Sequence, residues 1–79
     1  MKFLVRVMPK ADVLDPQGEA VGKALRKLAF SSLTSVRVGK SIEIDIQEPD
    51  ARLAEAKVKT MADKLLCNAN VETYSIQAL

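Results

Sequence analysis

The chain has 79 residues, 48% of them hydrophobic and 28% charged, with a net charge of +2. This length makes a single domain over residues 1–79 the expected organisation, and the balance of apolar and charged residues excludes a disordered chain. With no histidine and one cysteine, Cys67, an internal disulfide, a Cys/His zinc site and a histidine general base are all excluded.

Met1–Met8 lacks the apolar stretch of a secretory leader, and nothing approaches the ~20 apolar residues of a membrane span. A cytoplasmic location with no membrane partner is expected. So short a chain buries only roughly 60–65% of its unfolded surface, so association with another copy or a larger protein is a natural remedy. Charge is unevenly distributed. Residues 1–40 hold eight Lys/Arg and three acids, a net +5, and residues 41–79 hold four against seven, a net −3. Such a chain suits head-to-tail pairing or a charged partner, although folding can also mix the two halves into an ordinary solvated surface.

Lys2–Met8 alternates, with Phe3, Val5 and Val7 on one side and Leu4, Arg6 and Met8 on the other. This predicts a strand that stops before Pro9. Asp15-Pro16 then marks a helix start, because Asp15 can accept from a first-turn N–H and Pro16 fits the first helical position. Ala20, Val21, Ala24, Leu25 and Leu28 share one face, with Lys23, Arg26 and Lys27 elsewhere. The helix is expected from about Pro16 to Ala29. Gly18 and Gly22 sit in its first turns, where each costs about 1 kcal/mol relative to alanine. Close approach of another backbone is one reason to keep them, and tolerance near a helix end is the other.

Val36 and Val38 alternate, as do Ile42, Ile44 and Ile46, with Gly39-Lys40 between. The pattern predicts a β-hairpin; one long bent strand with a glycine bulge is the competing reading. Asp50 is the expected cap of a second helix bearing an apolar stripe Ala54, Val58, Met61 and Leu65, widened by Ala62 and Leu66. That helix should end near Leu66 or Cys67, with Asn68 and Asn70 suited to left-handed closing conformations. Val71–Ala78 reads as a last strand. The order β-α-β-β-α-β predicts an α+β, ferredoxin-like fold: an antiparallel sheet with both helices on one face. Leu4 and Met8 would then leave apolar surface on the far face for another protein to cover.

Catalytic signals are weak. Gly39-Lys40-Ser41 resembles the tail of a phosphate loop but lacks the upstream glycine. Glu43 and Asp45 alternate with isoleucines and read as the wet face of a strand, while Asp15 and Asp50 are explained as caps. Phe3, Phe30 and Tyr74 are the only aromatics, too few for base stacking on a sheet, so no nucleic-acid partner is expected. Cys67 reads as a small apolar plug. The sequence itself identifies no catalytic, cofactor-binding or metal-binding residue.

Three segments nevertheless carry a family resemblance. Val13-Leu14-Asp15-Pro16-Gln17-Gly18 with Ala20-Val21, Val36-Arg37-Val38-Gly39-Lys40, and Lys64-Leu65-Leu66-Cys67-Asn68 with Val71-Glu72-Thr73-Tyr74 fall in the order found in the PurS family, the small subunits of phosphoribosylformylglycinamidine synthase. The departures are Cys67 in place of alanine, Ala69 in place of proline, Asn70 in place of an apolar residue, and Ala29 in place of glycine. The resemblance implies a non-catalytic subunit of a glutamine- and ATP-dependent carbon–nitrogen ligase in purine biosynthesis. Such a subunit self-associates as a homodimer or tetramer and bridges a PurL-type synthetase to a PurQ-type glutaminase. ATP and magnesium would belong to the synthetase. Asp15, Gln17, Gly18, Arg37 and Lys40 are the candidate interface residues.

Two rivals share the predicted fold. An acylphosphatase needs arginine and glycine in the loop after the first strand, and Pro9–Leu14 has neither. A small-molecule-sensing regulatory domain is the remaining alternative, and fold alone does not exclude it.

Overall fold

The computed structural model describes residues Met1–Leu79. Its elements are β1 (Lys2–Pro9), α1 (Pro16–Lys27), β2 (Lys40–Asp45), α2 (Ala51–Met61, continued by a π turn over Ala62–Leu66) and β3 (Glu72–Ala78). The sheet is antiparallel in the order β2-β1-β3. β1 pairs with both neighbours, Val5 standing opposite Ile42 on one side and Ile76 on the other. Pro9 extends β1 one residue beyond the expected stop. Pairing with β2 ends at Val7↔Lys40, so the missing N–H of Pro9 falls where that neighbour has already departed.

The alternation in β1 decides where the core lies. Phe3, Val5 and Val7 are buried against Ala54, Val58 and Ala62 of α2, with Ile42, Ile44, Ile46, Tyr74 and Ile76 packed around them. The buried stripe of α2 steps by four residues, and its two alanines let helix and sheet approach closely. Met61 and Leu65, expected in the stripe, are exposed, Leu65 to 84%. The π turn, closed by the Cys67 N–H donating to the Ala62 carbonyl at 3.0 Å, shifts the last residues off the α-helical register.

Both helix starts are as read. The Asp15 carboxylate accepts from the Gly18 N–H, and Asp50 accepts from those of Arg52 and Leu53. α1 ends two residues early, in a Schellman arrangement. The Ala29 N–H donates to Arg26 and the Phe30 N–H to Leu25, with Ala29 at a positive φ of 74°. Asn68 and Asn70 do not adopt the left-handed conformation. Instead the Asn68 side chain accepts from the Asn70 N–H, and the Asn68 carbonyl accepts from Val71 and Glu72.

Two expectations fail within the ferredoxin-like plan. The hairpin does not close, so the sheet has three strands rather than four. Residues 33–39 lead into β2 without forming a strand of their own. No glycine has a positive φ, and a Cβ on Gly39 would collide with the Val7 carbonyl and the Met8 sulfur. Nor does α1 lie on the sheet beside α2: none of its residues joins the core. The molecule is therefore long, measuring 50 × 25 × 14 Å with a radius of gyration of 15.9 Å. About 12 Å is usual for a chain of this length.

Candidate functional site

α1 and the segment 33–39 form a projecting arm, with one hydrogen bond capping the helix and two bridging its parts. Asp15 Oδ1 accepts from Gly18 N at 3.0 Å, and its Oδ2 accepts from Val38 N at 2.8 Å. The Arg26 guanidinium donates to the Thr34 carbonyl at 3.3 Å. Val36 also passes directly over the glycines of α1. A Cβ on Gly18 would collide with the Val36 carbonyl oxygen, and one on Gly22 would touch the Val36 side chain. Close backbone approach is thus the reason for Gly18. The amides of Val38 and Gly18, with smaller help from Arg37 and the Gln17 amide, hold the Asp15 carboxyl below its ordinary value.

An open cleft of about 700 Å³ runs between the two parts of the arm. Three of the five candidate residues, Asp15, Gly18 and Arg37, line it together with Lys23, Arg26 and Val36. Gln17 is exposed on the first turn of α1 and lies outside the cleft, as does Lys40 at the start of β2. Arg26 and Val36 are the contributors that sequence reading missed. Their contacts join α1 to a segment eight or more residues away, and no local pattern encodes such contacts.

The remaining reactive groups are occupied structurally. Tyr74 donates to Asp63 at 2.7 Å, which pushes the phenol up. Cys67 packs on the core, and desolvation, then the charges of Glu72 and Asp63, push its thiol up, the direction of an unreactive cysteine. Lys57 binds Glu48 at 2.7 Å. That contact and the Asp50 N–H lower the Glu48 carboxyl. No three His, Cys, Asp or Glu side chains gather as a metal site. No helix is long and apolar enough to cross a membrane. The surface offers charge, hydrogen-bond donors and apolar side chains for recognition.

Residues 2–79 match the family model PurS, phosphoribosylformylglycinamidine (FGAM) synthase. The chain belongs to the PurS family. It is similar to the phosphoribosylformylglycinamidine synthase subunit PurS of Bacillus subtilis, with 42% identity over 92% of this chain and 86% of that one. The crystallised B. subtilis PurS superposes with a TM-score of 0.84 at 41% identity, covering 96% of this chain and 94% of its own. A chain of the Thermotoga maritima PurLQS structure superposes with a TM-score of 0.90 at 32% identity, covering 99% of this chain and 95% of its own. The PurS architecture is thus reproduced over nearly the full length, arm included. The PurS-like segment Val13–Gly18 leads through the Asp15 cap into the first turn of α1, and Val36–Lys40 crosses it into β2.

Proposed function

We propose that this chain is the small assembly subunit of phosphoribosylformylglycinamidine synthase. It contributes no complete active site and acts by holding a synthetase subunit and a glutaminase subunit together. The reaction of the complex is the ATP-dependent conversion of formylglycinamide ribonucleotide and glutamine to formylglycinamidine ribonucleotide and glutamate, with release of ADP and phosphate. ATP and magnesium belong to the synthetase subunit. The single observation that carries this reading is the near-complete superposition on a chain of the Thermotoga maritima PurLQS structure. The exposed Leu14, Val21, Leu28 and Phe30 on and beside the arm support it, because apolar groups left in water mark protein contacts.

Asp15, Gln17, Gly18, Arg37 and Lys40 are the proposed contact residues, in a cytoplasmic, self-associated subunit folded as one domain over residues 1–79. Arg37 is suited to a partner carboxylate through two parallel hydrogen bonds. The small-molecule-sensing alternative is not favoured, since the similar proteins are PurS subunits.

Reconstitution tests the proposal. The isolated chain should turn over nothing. Added to the two larger subunits, it should restore glutamine-dependent formation of the amidine and elute with them as one species. A synthetase–glutaminase pair that is fully active and stably associated without this chain would overturn the reading.

A further inference from the structure

The outer edge of β3 is open, because its only neighbour in the sheet is β1. The Lys10 N–H donates to the Val71 carbonyl and the Leu79 N–H to the Lys2 carbonyl, both at 2.9 Å, which fixes the phase of the ladder. Thr73, Ser75 and Gln77 therefore turn their backbone groups toward β1, while Tyr74, Ile76 and Ala78 turn theirs outward. Glu72 shares the outward phase, but its N–H donates to the Asn68 carbonyl at 2.7 Å. The outward N–H and C=O groups of Tyr74, Ile76 and Ala78 have no backbone partner. Exposed edges are ordinarily blunted by lysine, proline or a bulge. Glu72–Ala78 contains no basic residue and no proline, and its register with β1 is unbroken from Glu72 to Ala78.

A groove of about 340 Å³ runs beside this edge, between β3 and α2. Ala56 and Ile76 form its apolar floor, and Arg52, Glu55 and Lys59 its rim. None of these three charges is in an ion pair, and two of them are basic. A segment added to the edge alternates its side chains between the two faces of the sheet. Those on the helix side meet the floor and the rim, and those on the other side lie beside Thr73, Ser75 and Gln77. A second copy of β3 is a poor occupant. A twofold axis at Ile76 would set Arg52 against the other copy's Lys59 and bring the two copies of Glu55 together, and like charges placed opposite each other oppose pairing.

We propose that the groove between β3 and α2 is a docking site for an extended, acidic peptide segment of another protein, bound by strand addition. The segment pairs with the outward backbone of Tyr74, Ile76 and Ala78. It lays one apolar side chain over Ile76 and Ala56 and carries a carboxylate two residues to either side for Arg52 and Lys59. This edge is separated from β2 and the arm by β1, so the inference goes beyond the assembly role and does not depend on it.

The test uses the intact, isotope-labelled chain and a blocked peptide of sequence Thr-Glu-Thr-Val-Thr-Glu-Thr as the probe. Saturable shifts of the Tyr74, Ile76 and Ala78 amide resonances are expected. A peptide with lysine for glutamate, and one with N-methylated amides, should bind at least about tenfold more weakly. Arg52→Glu and Lys59→Glu should each weaken binding by about fivefold. Ala78→Pro removes an outward N–H without touching the β1 ladder, and it should weaken binding as well. No shift at millimolar peptide, or equal binding of the lysine peptide, would overturn the proposal. Shifts of the same amides with protein concentration alone would give the edge to a second copy and overturn it too.

Discussion

Asp15 joins two parts of the chain that are 23 residues apart, its Oδ1 capping α1 through Gly18 and its Oδ2 accepting the Val38 N–H at 2.8 Å. One carboxylate thus sets both the start of the helix and the path of the segment that crosses it. This double use ties the two parts of the arm together.

Its pH dependence has a definite sign. The Asp15 carboxyl is lowered from its ordinary value of 3.8 by the Val38 amide first and the Gly18 amide second. A depressed folded-state pKa contributes stability that is present above the unfolded value and lost as pH falls through the folded one. Asp15→Asn should therefore lower the melting temperature at neutral pH, and the gap from the unaltered chain should narrow as pH falls below about 4, the ordinary carboxylate range. Parallel melting curves for the two proteins across that range check it; a constant gap would refute the linkage.

At Ala29 the prediction is a gain. Its φ of 74° costs an L-residue about 1–2 kcal/mol, part of which glycine returns as lost freedom on folding. Ala29→Gly should stabilise the chain by about 0.5–1 kcal/mol, read as a higher urea midpoint with an unchanged slope.

Gly18→Ala should do the opposite. Its Cβ would meet the Val36 carbonyl oxygen and the Asp15 carboxylate, and relieving that overlap costs about 1–3 kcal/mol. The amide resonance of Val38 should shift as its bond to Asp15 loosens, while resonances of β3 stay in place.

Core and surface apolar residues should separate cleanly. Val58 is fully buried and Leu65 is 84% exposed. Val58→Ala should cost about 2–3 kcal/mol through a cavity, whereas Leu65→Ala should stay within about 0.5 kcal/mol. Urea unfolding of both variants checks the contrast.

Gln17 and Arg37 are both exposed. Replacing either with alanine should weaken association with the synthetase and glutaminase subunits and leave the melting temperature of the isolated subunit unaltered. Co-elution of the three proteins measures this. Undiminished assembly in both variants would remove these residues from the proposed contact.

The elements and caps were legible because they are encoded locally. Asp15-Pro16 and Asp50 announce their helices within a few residues, and the alternation of Phe3, Val5 and Val7 fixes which face of β1 is buried. The apolar face of α1 was correctly read as apolar and wrongly assigned to this sheet. Amphipathicity says that a face needs cover without saying what supplies it. The π turn that exposes Leu65 was likewise beyond any repeat of helical spacing.

By itself the sequence determined the two helices and three of the four expected strands, the buried face of β1, and the PurS family to which the chain belongs. Only the tertiary structure decided that no hairpin closes at Gly39-Lys40, that Gly18 exists for the backbone of Val36, and that α1 stands clear of β1. The reason is physical. Periodicity and capping act over a few residues, whereas an open hairpin and its closed form share the same local sequence and differ in contacts between distant parts of the chain.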